Sequence, residues 1–186
     1  MAQTNIPSTG LWGSIAALLN TMFSELFGST GLADYGDTQY TSVSPFQLTD
    51  GVIANLPNNA LNTYDEQKPT DVTTFYDGST ITGRNGDGLL ITFDFKATPR
   101  AAGTTEVEVY LDITGGTGTP ANLAKLYPRL ITFNKGVGVE KPINFTFSAY
   151  TRDTWELNGA VVKVVANGAC DVYDIRYVIT RTHKAR

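Results

Sequence analysis

The sequence predicts a mainly β protein, an antiparallel, jelly-roll-like β-sandwich preceded by one N-terminal amphipathic helix. Several segments alternate apolar and polar residues one by one, the period of a half-buried strand, and glycine turns separate them with no helical period after Phe27. The first 33 residues differ: they carry one charge, Glu25, and Leu11 to Phe27 repeats its apolar residues with the period of a helix. At 186 residues the chain is long enough for one domain with a sizeable core plus an appendage.

The helix is read from its stripe. Leu11, Ile15, Leu18 and Met22 follow spacings of four, three and four, and Trp12, Leu19, Phe23, Leu26 and Phe27 complete a broad set of candidate attachment or oligomer-interface residues. Ser8 or Thr9 is placed to accept hydrogen bonds from the first free amides, and Gly28 supplies a helix stop. A lone helix has no fold of its own, so its stripe must bury against the body, symmetry mates or another protein. Ser14, Asn20, Ser24 and Glu25 keep one side polar, and 17 residues is the bottom of the range for a bilayer span, so a membrane is not the expected partner. Met1 to Gly10 lacks the lysine or arginine of a signal-peptide n-region, and synthesis in the cytoplasm is expected.

Gly31 to Thr38, with Asp34, Gly36 and Asp37, reads as a turn-rich connector, which puts the domain division at 1–38 for arm and connector and 39–186 for the sandwich with a basic tail. Gln39 to Thr49 is extended, and Pro45 confines it to an edge or a bulge because proline donates nothing to a ladder. Leu56 to Asp71 reads as a long irregular connection opened by the turn signal Pro57-Asn58-Asn59, and its role stays open. Phe75 and Tyr76 end a short strand before Asp77-Gly78, and Gly83 to Gly88 is expected to close a hairpin.

The clearest strands follow. Leu89, Ile91, Phe93 and Phe95 alternate with polar or outward residues; Val107, Val109, Leu111 and Ile113 alternate with Glu106, Glu108, Tyr110 and Asp112. Ile143, Phe145, Phe147 and Ala149 repeat the pattern, as do Tyr173, Ile175, Tyr177 and Ile179, while Val161 to Val165 is apolar enough to be covered on both faces.

Chemistry is harder to assemble. The glycine loop Gly115 to Pro120 lacks the lysine and hydroxyl of a phosphate cradle and reads as a hairpin or crossover loop. Arg84 to Gly88 with Asp77 nearby does not match calcium-loop spacing. Glu106, Glu108 and Asp112 form a row of carboxylates as any solvated strand face does, although two-residue steps of ~7 Å suit a pair of acids acting on a glycan. Cys170 is expected to fill a strand-end core position, and His183, three residues from the end of the chain, has no nucleophile or orienter to work with. Asn144 heads a glycosylation pattern inside a strand, and Trp155 reads as an interface or core-edge residue. No metal, cofactor or catalytic residue is assigned, and no enzymatic activity is expected.

The net charge of −4 argues against a general nucleic-acid binder, but it is uneven. After Asp174 come Arg176, Arg181, Lys184 and Arg186 with no acid, which leaves −8 for the rest. That end reads as a solvated terminus or as a patch for an acidic protein surface, with nucleic acid last.

Two stretches resemble small structural proteins of tailed-bacteriophage particles: Thr4-Asn5-Ile6-Pro7-Ser8-Thr9-Gly10-Leu11-Trp12-Gly13-Ser14-Ile15 running into Leu19 to Phe27, and Val172-Tyr173-Asp174-Ile175-Arg176-Tyr177-Val178-Ile179-Thr180-Arg181-Thr182-His183-Lys184. The middle is generically similar to the jelly rolls of decoration proteins, head fibres and tumour-necrosis-factor-like trimers. The resemblance implies a virion protein, a capsid decoration or head-fibre homotrimer whose N-terminal segment attaches to the major capsid protein or another virion protein. The competing expectation is a tail- or neck-associated adhesin that binds a host glycan. Receptor fibres usually need a shaft, and no heptad run or repeat is present, which favours decoration.

Overall fold

The computed structural model describes residues 10–114 and 125–185, and for 11 and 24–27 the backbone alone. Helix α1 (Gly10–Gly28) precedes ten strands: β1 (Gly31–Gly36), β2 (Phe46–Leu48), β3 (Ala54–Asn55), β4 (Asn62–Tyr64), β5 (Gly88–Pro99), β6 (Glu106–Asp112), β7 (Lys125–Thr132), β8 (Lys141–Tyr150), β9 (Val161–Ala166) and β10 (Cys170–His183). A one-and-a-half-turn helix, α2 (Asp153–Asn158), stands between β8 and β9. Helix α1 ends at the glycine expected to stop it.

The strands form two antiparallel sheets packed as a sandwich. One runs in the order β4-β1-β10-β5-β8, with β2 pairing the start of β10 beside β1; the other runs β3-β9-β6-β7. Non-consecutive neighbours such as β1 with β10 and β5 with β10 give the crossed connections of a jelly roll. Leu89, Ile91, Phe93 and Phe95 of β5 are all buried, as their alternation predicts, and face Val107, Val109 and Leu111 of β6 and Val162 and Val164 of β9. Phe93 sits in a row of rings, with centroids 4.9 Å from Tyr177, 5.4 Å from Phe145 and 5.6 Å from Phe147. Cys170 lies in this core at the head of β10, and burial pushes its thiol up to about 11.

Several elements differ from the sequence reading. Gly31 to Gly36 is a strand between β4 and β10 rather than a connector, because Ala33 and Tyr35 are inward-facing and buried, a two-residue signal too short to register against the glycines. The tight hairpin is Tyr76 to Ile81, where Asp77 accepts hydrogen bonds from the amides of Ser79 and Thr80; the Arg84–Asp87 turn instead feeds β5. Helix α2 has only six residues, too few for a period to show, and carries Trp155 into the core, where its indole N–H donates to the Ile81 carbonyl at 2.9 Å. Gly83 is required there, since a Cβ would stand 2.6 Å from Thr151 Cγ2.

A bulge between Tyr173 and Arg176, with Asp174 in the left-handed region (φ 53°), reverses the facing of β10. Cys170 and Val172 point inward before it, and Ile175, Tyr177 and Ile179 after it. Tyr173 is therefore on the outer face, its hydroxyl donating to Glu140 at 2.7 Å, and not in the inward row with Ile175. The bulge falls where β10 changes partner from β2 to β1.

The long 56–71 connection acquires a structural role. Tyr177 and Tyr76 donate their buried hydroxyls to the carbonyls of Leu56 (2.7 Å) and Asn58 (2.9 Å), and Asn58 donates to the Tyr35 carbonyl at 2.8 Å, fastening the loop before it forms edge strand β4.

Removing the central ring tests this packing. Phe93→Ala is expected to cost about 3–5 kcal/mol, read as a lowered urea midpoint with an unchanged slope.

Candidate attachment site

Helix α1 carries the candidate attachment face, and the body leaves much of it open. Trp12, Ile15, Leu18, Leu19, Met22 and Phe23 are each 37–75% exposed, and among the described side chains of the helix only Ala16 is buried. At about 100° per residue these six span roughly 140° of the helix surface. Ser14 and Thr21 lie on the other side, the Thr21 hydroxyl donating back to the Ala17 carbonyl at 2.9 Å. The side chains of Leu11, Leu26 and Phe27, assigned to the same face by spacing, lie outside the described residues, as do Ser8 and Thr9. No helix among the described residues is long and apolar enough to cross a membrane.

The root of this arm is held by one arginine. Arg181 occupies an inward-facing position of β10, in phase with Tyr177 and Ile179, and is 1% exposed. Its Nε donates to the Ser29 carbonyl at 2.6 Å, immediately after α1. Its two terminal nitrogens reach Asp71, and one lies 3.5 Å from Asp87 at the start of β5. Lys184 and Arg84 reinforce Asp71 at 3.1 and 3.7 Å. Beside this joint the Leu32 amide donates to the Gln67 carbonyl at 3.0 Å, and a Cβ on Gly31 would stand 2.2 Å from that oxygen, so only glycine passes there. Arm, connection and two strands therefore meet on one guanidinium.

This geometry corrects the reading of the basic tail as a solvated or docking terminus. Arg176 forms a two-pronged pair with Asp34, and Arg181 and Lys184 are engaged with Asp71, so three of the four cations are committed within the chain; Arg186 lies outside the described residues. The sequence carried one signal for Arg181: the inward alternation of Tyr177 and Ile179 lands on it two residues later. Nothing in one dimension gave its acid partners, 110 and 94 residues away along the chain.

The other candidate residues do not converge. Glu106 and Glu108 are part-exposed, but Asp112 is buried, its Oδ1 accepting from the amide and hydroxyl of Thr114, so the three are not a solvated row. Asp87 is buried and serves Arg181, Arg84 and the Ala185 amide (2.8 Å), and Asp77 caps its own turn. His183 ends β10 opposite Gly88 and is exposed, held by the strand rather than on a loose terminus. Asn144 is an exposed strand residue. Among the described residues no three His, Cys, Asp or Glu side chains come together to hold a metal ion. The glycine loop at 115–120 lies outside the described residues.

No protein-family profile and no curated protein matches the chain. Among solved structures, Eiger TNF from S. frugiperda matches with a TM-score of 0.52 over 84% of this chain and 95% of that chain, at 6% sequence identity. A VP2 protein of infectious bursal disease virus matches at 0.42 over 81% of this chain and 31% of that one, at 13% identity, and the PRD1 vertex protein P5 at 0.39 over 82% and 94%, at 8% identity. The first likeness places the body among jelly rolls of the tumour-necrosis-factor shape. At 6% identity it speaks to fold alone.

The anchor has a pH signature. Hydrogen bonding from Arg181 is the main force that holds the Asp71 carboxyl down at about 2, against an ordinary 3.8. The unfolded chain takes up that proton first, so the pair's contribution is fully present above about pH 4 and is lost as pH falls through the folded value. Arg181→Met leaves Asp71 and Asp87 without their shared cation and is expected to cost about 3–5 kcal/mol at pH 7. Urea unfolding at pH 7 and pH 3 is expected to show a smaller acid-induced loss in that variant than in the wild type.

Proposed function

We propose that this chain is a structural protein of a bacteriophage particle, a capsid decoration or head-fibre trimer that attaches through its N-terminal arm and performs no catalysis. The observation that carries the reading is the exposed apolar arc of α1, rooted by Arg181 on a folded jelly roll. Burying each large side chain of that arc is worth about 1.5–3 kcal/mol, so a few of them hold a subunit on a larger body. The phage-like opening and closing stretches coincide with the two parts of this device, the arm and the strand that fastens it. The partner at the arm is the major capsid protein or another virion protein, and the copies of the chain itself make the trimer.

Two measurements test this. Solution mass is expected at about 60 kDa, three copies of a 20.1 kDa chain; a stable monomer at micromolar concentration counts against the trimer. Leu18→Glu with Met22→Glu is expected to leave the sandwich folded, by circular dichroism, while the protein no longer co-sediments with particles. Copy number read from purified particles then distinguishes the positions: hundreds for the shell, a few to a few dozen for neck or tail.

A further inference from the structure

Among the described residues, β7 and β8 are the edges of the two sheets on one side of the sandwich, and that side is left partly open. Phe145 and Phe147 face inward from β8 yet stay part-exposed. Tyr127, turned out of β7 by a left-handed backbone (φ 53°) at the Tyr127-Pro128 irregularity, stacks on Phe147 at 4.7 Å and 17° and remains 40% exposed. Leu130, whose register partner is the outward-facing Glu108, is 57% exposed on the outer face of the same edge strand. Arg129 belongs to the same opening, since its register partner is the inward-facing core residue Val109, yet it is exposed. Lys125 is paired with Glu108, whereas Arg129 and Lys135 have no acid partner among the described residues. Between residues 125 and 141 there are four cations and one acid.

The opposite edge carries the reverse. β4 ends the same sheet that β8 begins, and beside it Leu61 and Tyr64 are exposed apolar groups. Acids flank them: Asp37, which accepts from the Asn59 amide at 2.9 Å, and Asp77 in the neighbouring hairpin at one end, Asp65 and Glu66 at the other. From residue 31 to 80 the chain has seven acids and one lysine; Asp34, Asp65 and Asp71 are paired with Arg176, Lys68 and Arg181, which leaves Asp37, Asp50, Glu66 and Asp77 without a cation partner among the described residues. Pro128 on β7 and Pro142 on β8 remove ladder donors from those edges, so neither is suited to gaining a strand, and a partner must be met by side chains.

We infer that the β7–β8 edge of one copy docks, head to tail, on the acidic β4 edge of the next, with Arg129 against the acids that flank Leu61 and Tyr64, and that three copies close a ring. Two different, mutually complementary patches on one chain make a heterologous contact, which gives a ring when its rotation closes. The ring size rests on the trimer proposed above; the contact itself uses no residue of the arm.

Cross-linking of the full chain tests it, because the only native thiol, Cys170, is buried. Under mild oxidation the double variant Leu61→Cys/Leu130→Cys is expected to give reducible covalent trimers, while each single variant stays uncross-linked. Arg129→Glu is expected to raise the concentration at which the trimer dissociates by about tenfold or more, with the circular dichroism of the wild type. Covalent dimers from Leu130→Cys alone would show an edge-to-edge contact and overturn the proposal. A trimeric wild type whose double variant does not cross-link and whose Arg129→Glu form stays trimeric would overturn it too, leaving the trimer reading intact. A monomeric wild type removes both.

Discussion

The structure depends on where the Arg181 guanidinium is placed. An inward-facing position near the end of β10 would ordinarily hold an aliphatic side chain continuing the row of Tyr177 and Ile179. Here a cation is buried instead, and a buried cation demands partners. It takes the carbonyl that follows α1, the carboxylate that ends the 56–71 connection and the carboxylate that opens β5. Each of these belongs to a segment the sheets hold only in part: an arm that is largely exposed, a loop tied at its start by Tyr177, Tyr76 and Asn58 but without regular pairing beyond β4, and a turn. The electrostatic requirement thus gathers what the hydrophobic core does not reach. It also explains why the cationic end of the chain is no free tail.

The rest of the body is organised by rings with polar ends. Tyr35, Tyr76, Tyr177, Phe93, Phe147 and Tyr127 form a continuous series of contacts, each centroid 4.7–5.7 Å from the next, running across the sandwich from β1 to β7. On the β1 side the hydroxyls of Tyr76 and Tyr177 accept no exposure to water and instead hold the connection that covers them. On the β7 side the series ends on Tyr127, which stays 40% exposed. The two sides differ in finish, and the bulge at Asp174 is what brings Tyr177 into phase with the series.

How much of this was legible in the sequence follows from the range of each interaction. β5, β6, β8 and the second half of β10 were readable because each spans enough residues for a two-residue period to repeat, and α1 was readable because its stripe runs for several turns. β1 and α2 were not, because six residues with glycine at both ends, or six residues in all, are too few to repeat anything. The facing of Tyr173 was misjudged because a bulge inserts one residue without leaving a compositional mark. The apolar residues of α1 were found by spacing, but its fastening was not: Asp71, Asp87 and Ser29 lie far from Arg181 in sequence, and only the topology brings them together. Asp112 passed for a surface residue because alternation tells which face a side chain takes, not whether that face is covered.

The two tryptophans have been placed in opposite circumstances, Trp155 packed at 2% exposure with its N–H satisfied and Trp12 at 75% on the arm. Their emission therefore divides the life of the molecule into two optical channels. Light from Trp155 answers to the integrity of the sandwich, while light from Trp12 answers to whatever comes to lie against α1. Capture of the arm would shift the second toward the blue without disturbing the first, so seating and folding can be followed as separate events in one unlabelled sample.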